Sequence, residues 1–247
     1  MGTFRLKEAI RYNCCSQTFT ISRTADKWYV SFKIKAEKIP PLYHSVSETI
    51  GRDLGVSTFA ALSDGTVYQL PDSLKQAKIK LGKLLYRNRN KQLGNRKIGI
   101  KASKNAQKFY RNQAKKHADI AQRRRDFLQK TTTEISQKYA HIRIEDLNVS
   151  GMVANHKLAS SVVDSGFYEF RREITYKSPI YGTVVELVDR WYPSSKTCSS
   201  CGHVQPMPLQ ARVFVYEACC NNCNRDLNAA INLASVSKNR VRMASHE

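Results

Sequence analysis

Apolar and polar residues alternate in two runs on either side of "SRTADK" within residues 16–36, "SQTFTISRTADKWYVSFKIKA", which predicts a β-hairpin. The next stretch, "SETIGRDLGVSTFAALSDGTVYQL", predicts three strands, the last two joined by a turn at Ser63-Asp64-Gly65. From Ser73 the period becomes helical, with Pro71 and Asp72 as an entry signal. A glycine-bearing break, "NRNKQLGNRKIGIKASKN", divides two long helices. The second of them sets Phe109, Ile120, Phe127, Leu128 and Ile135 near one face. "HIRIEDL" then predicts a short strand ending at Glu145, and "VDSGFYEFRREITYK" a helix. "YGTVVELVDRWYPS" predicts a further strand, followed by a cysteine-rich segment and a last helix from about Asp226. Strands interleaved with helices in this order imply a mixed α/β core with a small module inserted late. The first hairpin suits a separate β unit.

Charge narrows the partners. Among 247 residues, 41 Lys and Arg face 20 Asp and Glu, and 41% hydrophobic content is enough for a real core. From Ser73 to Ala140 there are 20 basic and 3 acidic residues, so +17 of the formal +21 lies in the helical segment. Such a concentration points to a polyanion, most simply nucleic acid, because each neutralised phosphate releases counterions. Lys115, Lys116, Arg123, Arg124 and Arg125 are the candidate contacts, to phosphates rather than bases. No run of about 18 apolar residues predicts a membrane span. The beginning, "MGTFRLKEAIRYNCC", lacks an apolar signal core, so the expected location is the cytoplasm.

Three acids and a set of thiols carry the candidate chemistry. Asp53 and Glu145 each end a predicted strand, and Asp226 opens the last helix. They lie 92 and 81 residues apart, so only the fold could unite them. Taken singly, each suits an ordinary role: Asp226 as a helix cap, Glu145 as a strand-end polar residue, Asp53 in an Asp-Leu-Gly turn. United, they would repel unless cations occupied the gap. Two Mg²⁺ ions about 4 Å apart would then activate water and stabilise the leaving oxygen of a phosphodiester. In a reducing cytoplasm, clustered cysteines read as metal ligands before disulfides. "CSSCG" at Cys198 to Cys201 has zinc-knuckle spacing, and spacing alone would pair it with Cys220 and Cys223. Cys14 and Cys15 are vicinal, without a partner pair, and read as plain thiols.

Four ordered motifs, "IGRDLGVSTFAALSDG", "IRIEDLNVSGM", "WYPSSKTCSSCGH" and "NRDLNAAINL", resemble those of the TnpB transposon-encoded nucleases, relatives of type V CRISPR effectors. The resemblance runs from about Ser16 to Leu233. It implies an RNase H-like (RuvC) mixed sheet with two long basic helices, an inserted zinc ribbon and a partial N-terminal β unit. The corresponding boundaries are 1–45 for the β region, 46–197 for the nuclease core with basic helices at 73–139, 198–223 for the ribbon and 224–247 for the final segment. It also implies a catalytic triad of Asp53, Glu145 and Asp226 on Mg²⁺, DNA as substrate, a guide RNA as partner, and structural Zn²⁺. In the family's register the third and fourth zinc ligands fall on Tyr216 and Cys219, with Cys220 where a glycine would stand. The expected ligands are therefore Cys198, Cys201 and Cys219, with Cys223 as the fourth and Cys220 as its alternate.

Beyond the zinc register, the chain departs from the family in three further places. It begins at the small β region, without the helical recognition segment that usually precedes or interrupts it, and so reads as N-terminally shortened. Arg52, directly before Asp53, and Arg143, before Glu145, replace usual apolar residues. Buried arginines are costly unless paired, and pairing with an acid in the absence of metal is one outcome open to Arg52. Arg143 shares a face with Glu145 by alternation, within reach of a phosphate or acid. The leading expectation is an RNA-guided, metal-dependent DNA endonuclease. The alternative is a nucleic-acid-binding, cleavage-deficient regulator or transposon remnant.

Overall fold

The computed structural model describes residues 5–9, 18–33, 44–55, 58–95, 97, 99–208 and 211–244. Cys14 and Cys15, and both ends of the expected first hairpin, lie outside these. The chain divides into two compact units, Met1–Lys38 with Gln76–Gln122, and Ile39–Lys75 with Arg123–Glu247. Two of the three boundaries fall inside the basic helices, α1 (Asp72–Arg87) and α2 (Lys104–Lys138). No helix among the described residues is long and apolar enough to cross a membrane.

In the first unit, β1 (Phe19–Thr24) and β2 (Lys27–Phe32) pair antiparallel from Phe19↔Phe32 to Thr24↔Lys27. Ala25 turns the chain at a φ of 56°. Leu81, Ala106, Phe109 and Ile120 are buried along the helices, as the apolar face of α2 predicts. The Tyr110 hydroxyl closes the break between the helices by donating to the Lys91 carbonyl at 2.7 Å. Lys115 is ion-paired to Asp26 at 2.7 Å.

The second unit is built on six strands in the order β10-β7-β6-β3-β4-β5. Its centre is parallel: β3 (Val46–Leu54), β6 (Tyr139–Glu145) and β7 (Val184–Val188). β4 (Ala60–Leu62) and β5 (Val67–Tyr68) continue it antiparallel on one side, and β10 (Val241–Met243) on the other. The parallel register puts Ile50 beside Ile142 and Arg52 beside Ile144, and these face a core with Leu128, Ile135, Phe170 and Ile174. Each of these apolar side chains, Arg52 excepted, stabilises by about 1.5–3 kcal/mol relative to exposure. The opposite face carries Gly51, Arg143 and Val188 and is covered by α6 (Arg225–Ser235).

Between β6 and β7 run α3 (Val149–Ala154), α4 (His156–Ser165) and α5 (Phe167–Tyr181). The helix expected over "VDSGFYEFRREITYK" is therefore two, broken at Gly166, whose φ of 71° a side chain would strain. A Cβ there would also stand 3.1 Å from the Leu128 side chain. The strand expected from Tyr181 stops at Val188, before the turn at Asp189.

Candidate active site and cysteine cluster

Strand alternation places Gly51 and Asp53 on the α6 face and Arg52 on the other. The approach of α6 is close. A Cβ on Gly51 would lie 1.9 Å from the Ala230 carbonyl oxygen and 2.3 Å from the Ala234 nitrogen. Asp226 sits one turn before Ala230 on the same side of the helix, so the helix axis carries it over the end of β3. Glu145 occupies the next strand, one residue past the Arg52↔Ile144 pair, which makes it the parallel neighbour of Asp53. The three sequence-predicted acids are thereby brought to one end of the sheet.

Electrostatics report the same convergence. Burial, reinforced by the charges of Asp226 and Glu145, pushes the Asp53 carboxyl up to about 7 against the pull of Arg225 and Arg52. Glu145 is raised too, by burial and then by Asp146. Among the described residues no cation lies within ion-pairing distance of Asp53 or Glu145, whereas Arg212 reaches Asp226 at 3.7 Å. The ordinary role open to Asp226 is already filled. Asn224 is the N-cap of α6, its side-chain oxygen accepting from the Asp226 and Leu227 N–H groups. A partly buried set of hard oxygen donors, two of the three acids having no ion pair among the described residues, is what a divalent metal fits.

The two intrusive arginines differ in fate. Arg52 finds no acid partner. It is fully buried with its guanidinium 3.1 Å from the Phe170 ring centre and 5.3 Å from that of Phe59. None of its guanidinium nitrogens has a hydrogen-bond partner among the described residues. Cation–π contact stands in place of an ion pair, because alternation turns Arg52 into the aromatic core, away from the acids. Arg143 does meet an acid, Glu186 on β7, at 2.7 Å. Its guanidinium also donates to the Ala234 and Val236 carbonyls, at 2.8 and 2.7 Å, closing the C-terminal end of α6.

In the cysteine segment, the sulfurs of Cys198, Cys201 and Cys219 lie within 4.8 Å of one another. Cys198 and Cys219 are 3.5 Å apart, near the ~3.8 Å edge of a zinc–thiolate tetrahedron with 2.3 Å bonds. Cys223, in β9 (Asn222–Asn224) opposite Phe214 of β8 (Val213–Val215), is not in that group of three. Tyr216 is buried, its hydroxyl donating to the Thr197 carbonyl and accepting from Asn228 at 2.9 Å. Asn228 and Asn232 of α6 further bind the Thr197 and Ser194 carbonyls, and Asn228 accepts from the Ser199 N–H. The base of the cysteine segment is thus fastened to the helix that carries Asp226.

Cys220 is exposed with a φ of 55°, a left-handed conformation that disfavours side chains. Cys220→Gly is expected to raise stability by about 0.5 kcal/mol in chemical denaturation, backbone relief exceeding the added chain entropy. A loss of stability would give Cys220 a contact that its exposure does not suggest.

Of the candidate phosphate contacts, Lys115 pairs with Asp26 and Arg124 donates to the Val163 carbonyl at 2.6 Å. Lys116, Arg123 and Arg125 are exposed. Sequence reasoning missed the arginines that gather on Asp146. Arg171, Arg190 and Arg242 reach it at 2.7, 2.8 and 2.9 Å from three separate segments. No local pattern announces such a group.

Comparison with known proteins places these features. Residues 31–156 match the OrfB_IS605 family, described as "Probable transposase", and residues 167–233 match the Cas12f1-like TNB domain. The chain is 33% identical over 94% of its length to "Putative RNA-guided DNA endonuclease InsQ" of Escherichia coli (strain K12). It is 34% identical over 87% of its length to a "Putative RNA-guided DNA endonuclease" of Streptomyces pristinaespiralis. It spans 60% and 52% of those relatives. Its fold is similar to that of a chain in a Cas12f1-sgRNA-target DNA complex, with a TM-score of 0.57 and 23% identity over 84% of this chain and 42% of the other. With the transposase family matching half of its residues and the TNB domain following in order, the chain belongs to the OrfB_IS605 family and is a TnpB-family protein.

Proposed function

We propose that this chain is the nuclease part of an RNA-guided DNA endonuclease, with a RuvC-like sheet and a metal site formed by Asp53, Glu145 and Asp226. The observation that carries the reading is the meeting of three acids from β3, β6 and α6 at one sheet end. A protein that only binds nucleic acid has no need of that costly arrangement. When bound, two Mg²⁺ ions would supply an activated water and charge neutralisation at the leaving oxygen. The chain's own part is to hold the carboxylates in place: Gly51 admits α6, Asn224 starts the helix, and Arg143 closes its far end. The exposed lysines and arginines of α1 and α2 would take nucleic-acid phosphates. The names of the relatives support DNA as the substrate and an RNA as the guide. The test is to sequence RNA that co-purifies with the chain, then to offer DNA matching that RNA with and without Mg²⁺. Cleavage only with Mg²⁺ and the matching sequence is expected. Failure to retain any discrete RNA, or cleavage indifferent to Mg²⁺, would overturn the reading.

Cys198, Cys201 and Cys219, with Cys223 as fourth ligand, would hold one structural Zn²⁺. Purified chain should carry about one equivalent of zinc, and Cys219→Ser should lose most of it. Zinc content unchanged in Cys219→Ser would remove the site. Because Asn228 and Asn232 tie this segment to α6, loss of metal should also loosen the helix bearing Asp226.

A further inference from the structure

Trp191 is 85% exposed, an unusual position for the largest apolar side chain. Its exposure is built into the backbone. The Asp189 carboxylate accepts from the Trp191 N–H at 2.7 Å, the Tyr192 N–H returns to the Asp189 carbonyl, and the Asp189 N–H is held by the Arg240 carbonyl. Beside the indole lies a cleft of about 280 Å³ lined by Asp146, Asp189, Arg190, Arg240 and Arg242 among others. Arg171 also reaches Asp146. Among the lining residues three guanidiniums face two carboxylates, leaving a surplus of one positive charge. The surplus is available to solvent, since the Arg190 and Arg242 side chains remain 42% and 62% exposed although each touches Asp146. The cleft is smaller than a typical pocket for a drug-sized ligand and cannot take a duplex.

We propose that Trp191 with Arg190, Arg240 and Arg242 forms a platform for single-stranded nucleic acid, the indole stacking on one base and the guanidiniums holding its flanking phosphates. Aromatic platforms edged by cations bind unpaired strands because every base offers a face and every linkage a charge. A duplex hides its base faces and would not use the indole. Asp146 directly follows Glu145, so the bound nucleotide would neighbour the one presented to the acids. That placement rests on the nuclease reading, while the binding itself does not.

The chain has two tryptophans, so Trp28→Phe leaves Trp191 as the sole indole reporter. The full chain with this change is titrated with short oligothymidylate, oligouridylate, an abasic phosphodiester of equal length, and a duplex. Quenching of Trp191 emission by the single strands, and not by the abasic chain or the duplex, is expected. The stronger of the two single-strand responses identifies the strand as DNA or RNA. In the otherwise native chain, Trp191→Ala should reduce the preference for oligonucleotide over abasic chain about tenfold. Arg240→Gln should weaken both and lower the salt slope by about one unit. Unchanged emission at saturation, equal quenching by the abasic chain or the duplex, or an unaltered preference in Trp191→Ala would each overturn the proposal. Asp53→Asn separates the two readings: quenching retained without cleavage leaves the platform standing, whereas cleavage by the chain with Asp53 intact, without quenching of Trp191, removes the platform alone.

Discussion

Asp53→Asn, Glu145→Gln and Asp226→Asn are each expected to reduce Mg²⁺-dependent DNA cleavage by more than about a hundredfold, the upper end of the loss seen when only a supporting contact at a metal site is removed. The three changes preserve shape while removing the charge and exchanging one acceptor oxygen for an amide donor, so the loss would come from the missing anionic oxygen at the metal. Stability should separate this from misfolding. Without metal, three carboxylates gathered at one sheet end repel, and removing one charge should leave the protein at least as stable as the native chain. Added Mg²⁺ should raise the melting temperature of the native chain and do so much less in the variants, because a ligand stabilises only the state that binds it. Cleavage is followed on a guide-matched DNA, and melting by circular dichroism. A variant that cuts at the native rate would show that its acid is no ligand. A variant that melts far below the native chain without metal would assign that acid a structural role instead.

Gly51→Ala should cost about 3 kcal/mol, at the upper end of ordinary overpacking. The added methyl would meet backbone atoms of Ala230 and Ala234, which cannot rotate aside as a side chain can. α6 must therefore lift from β3, and Arg143 would lose its carbonyl partners at the helix end. Asp226 rides on the same helix, so cleavage should fall even at temperatures where the variant stays folded. Denaturant titration measures the first effect, and cleavage of folded protein the second. A cost below about 1 kcal/mol would mean that α6 accommodates a methyl group without moving.

Local pattern carried much of the sheet. The alternation in "HIRIE" was enough to end β6 at Glu145, and Gly55 stops β3 at Leu54, one residue past the expected end at Asp53. The apolar spacing of α2 likewise placed Phe109, Ile120, Leu128 and Ile135 on the buried side. Pattern was less informative where a single residue decides. The two-helix break at Gly166 depends on one left-handed glycine, and a helical period continues on both sides of it. β10 is three residues long and exists because β7 offers it an edge.

The sequence by itself determined which residues could do chemistry here: the acids at 53, 145 and 226, the thiols at 198, 201 and 219, and the charge of the long helices. It also determined the family, through four motifs in order. Tertiary structure alone decided how these residues are used. Arg52 and Asp53 are neighbours in the chain, yet the pleat sends one into the aromatic core and the other toward α6. Arg143 became a clamp on a helix end, and Asp146 a meeting point for three arginines, through contacts between residues 25 to 96 positions apart. A side chain's type and its direction along a strand are local properties. Its partner is set by which distant segment the core brings opposite, and no local pattern encodes that.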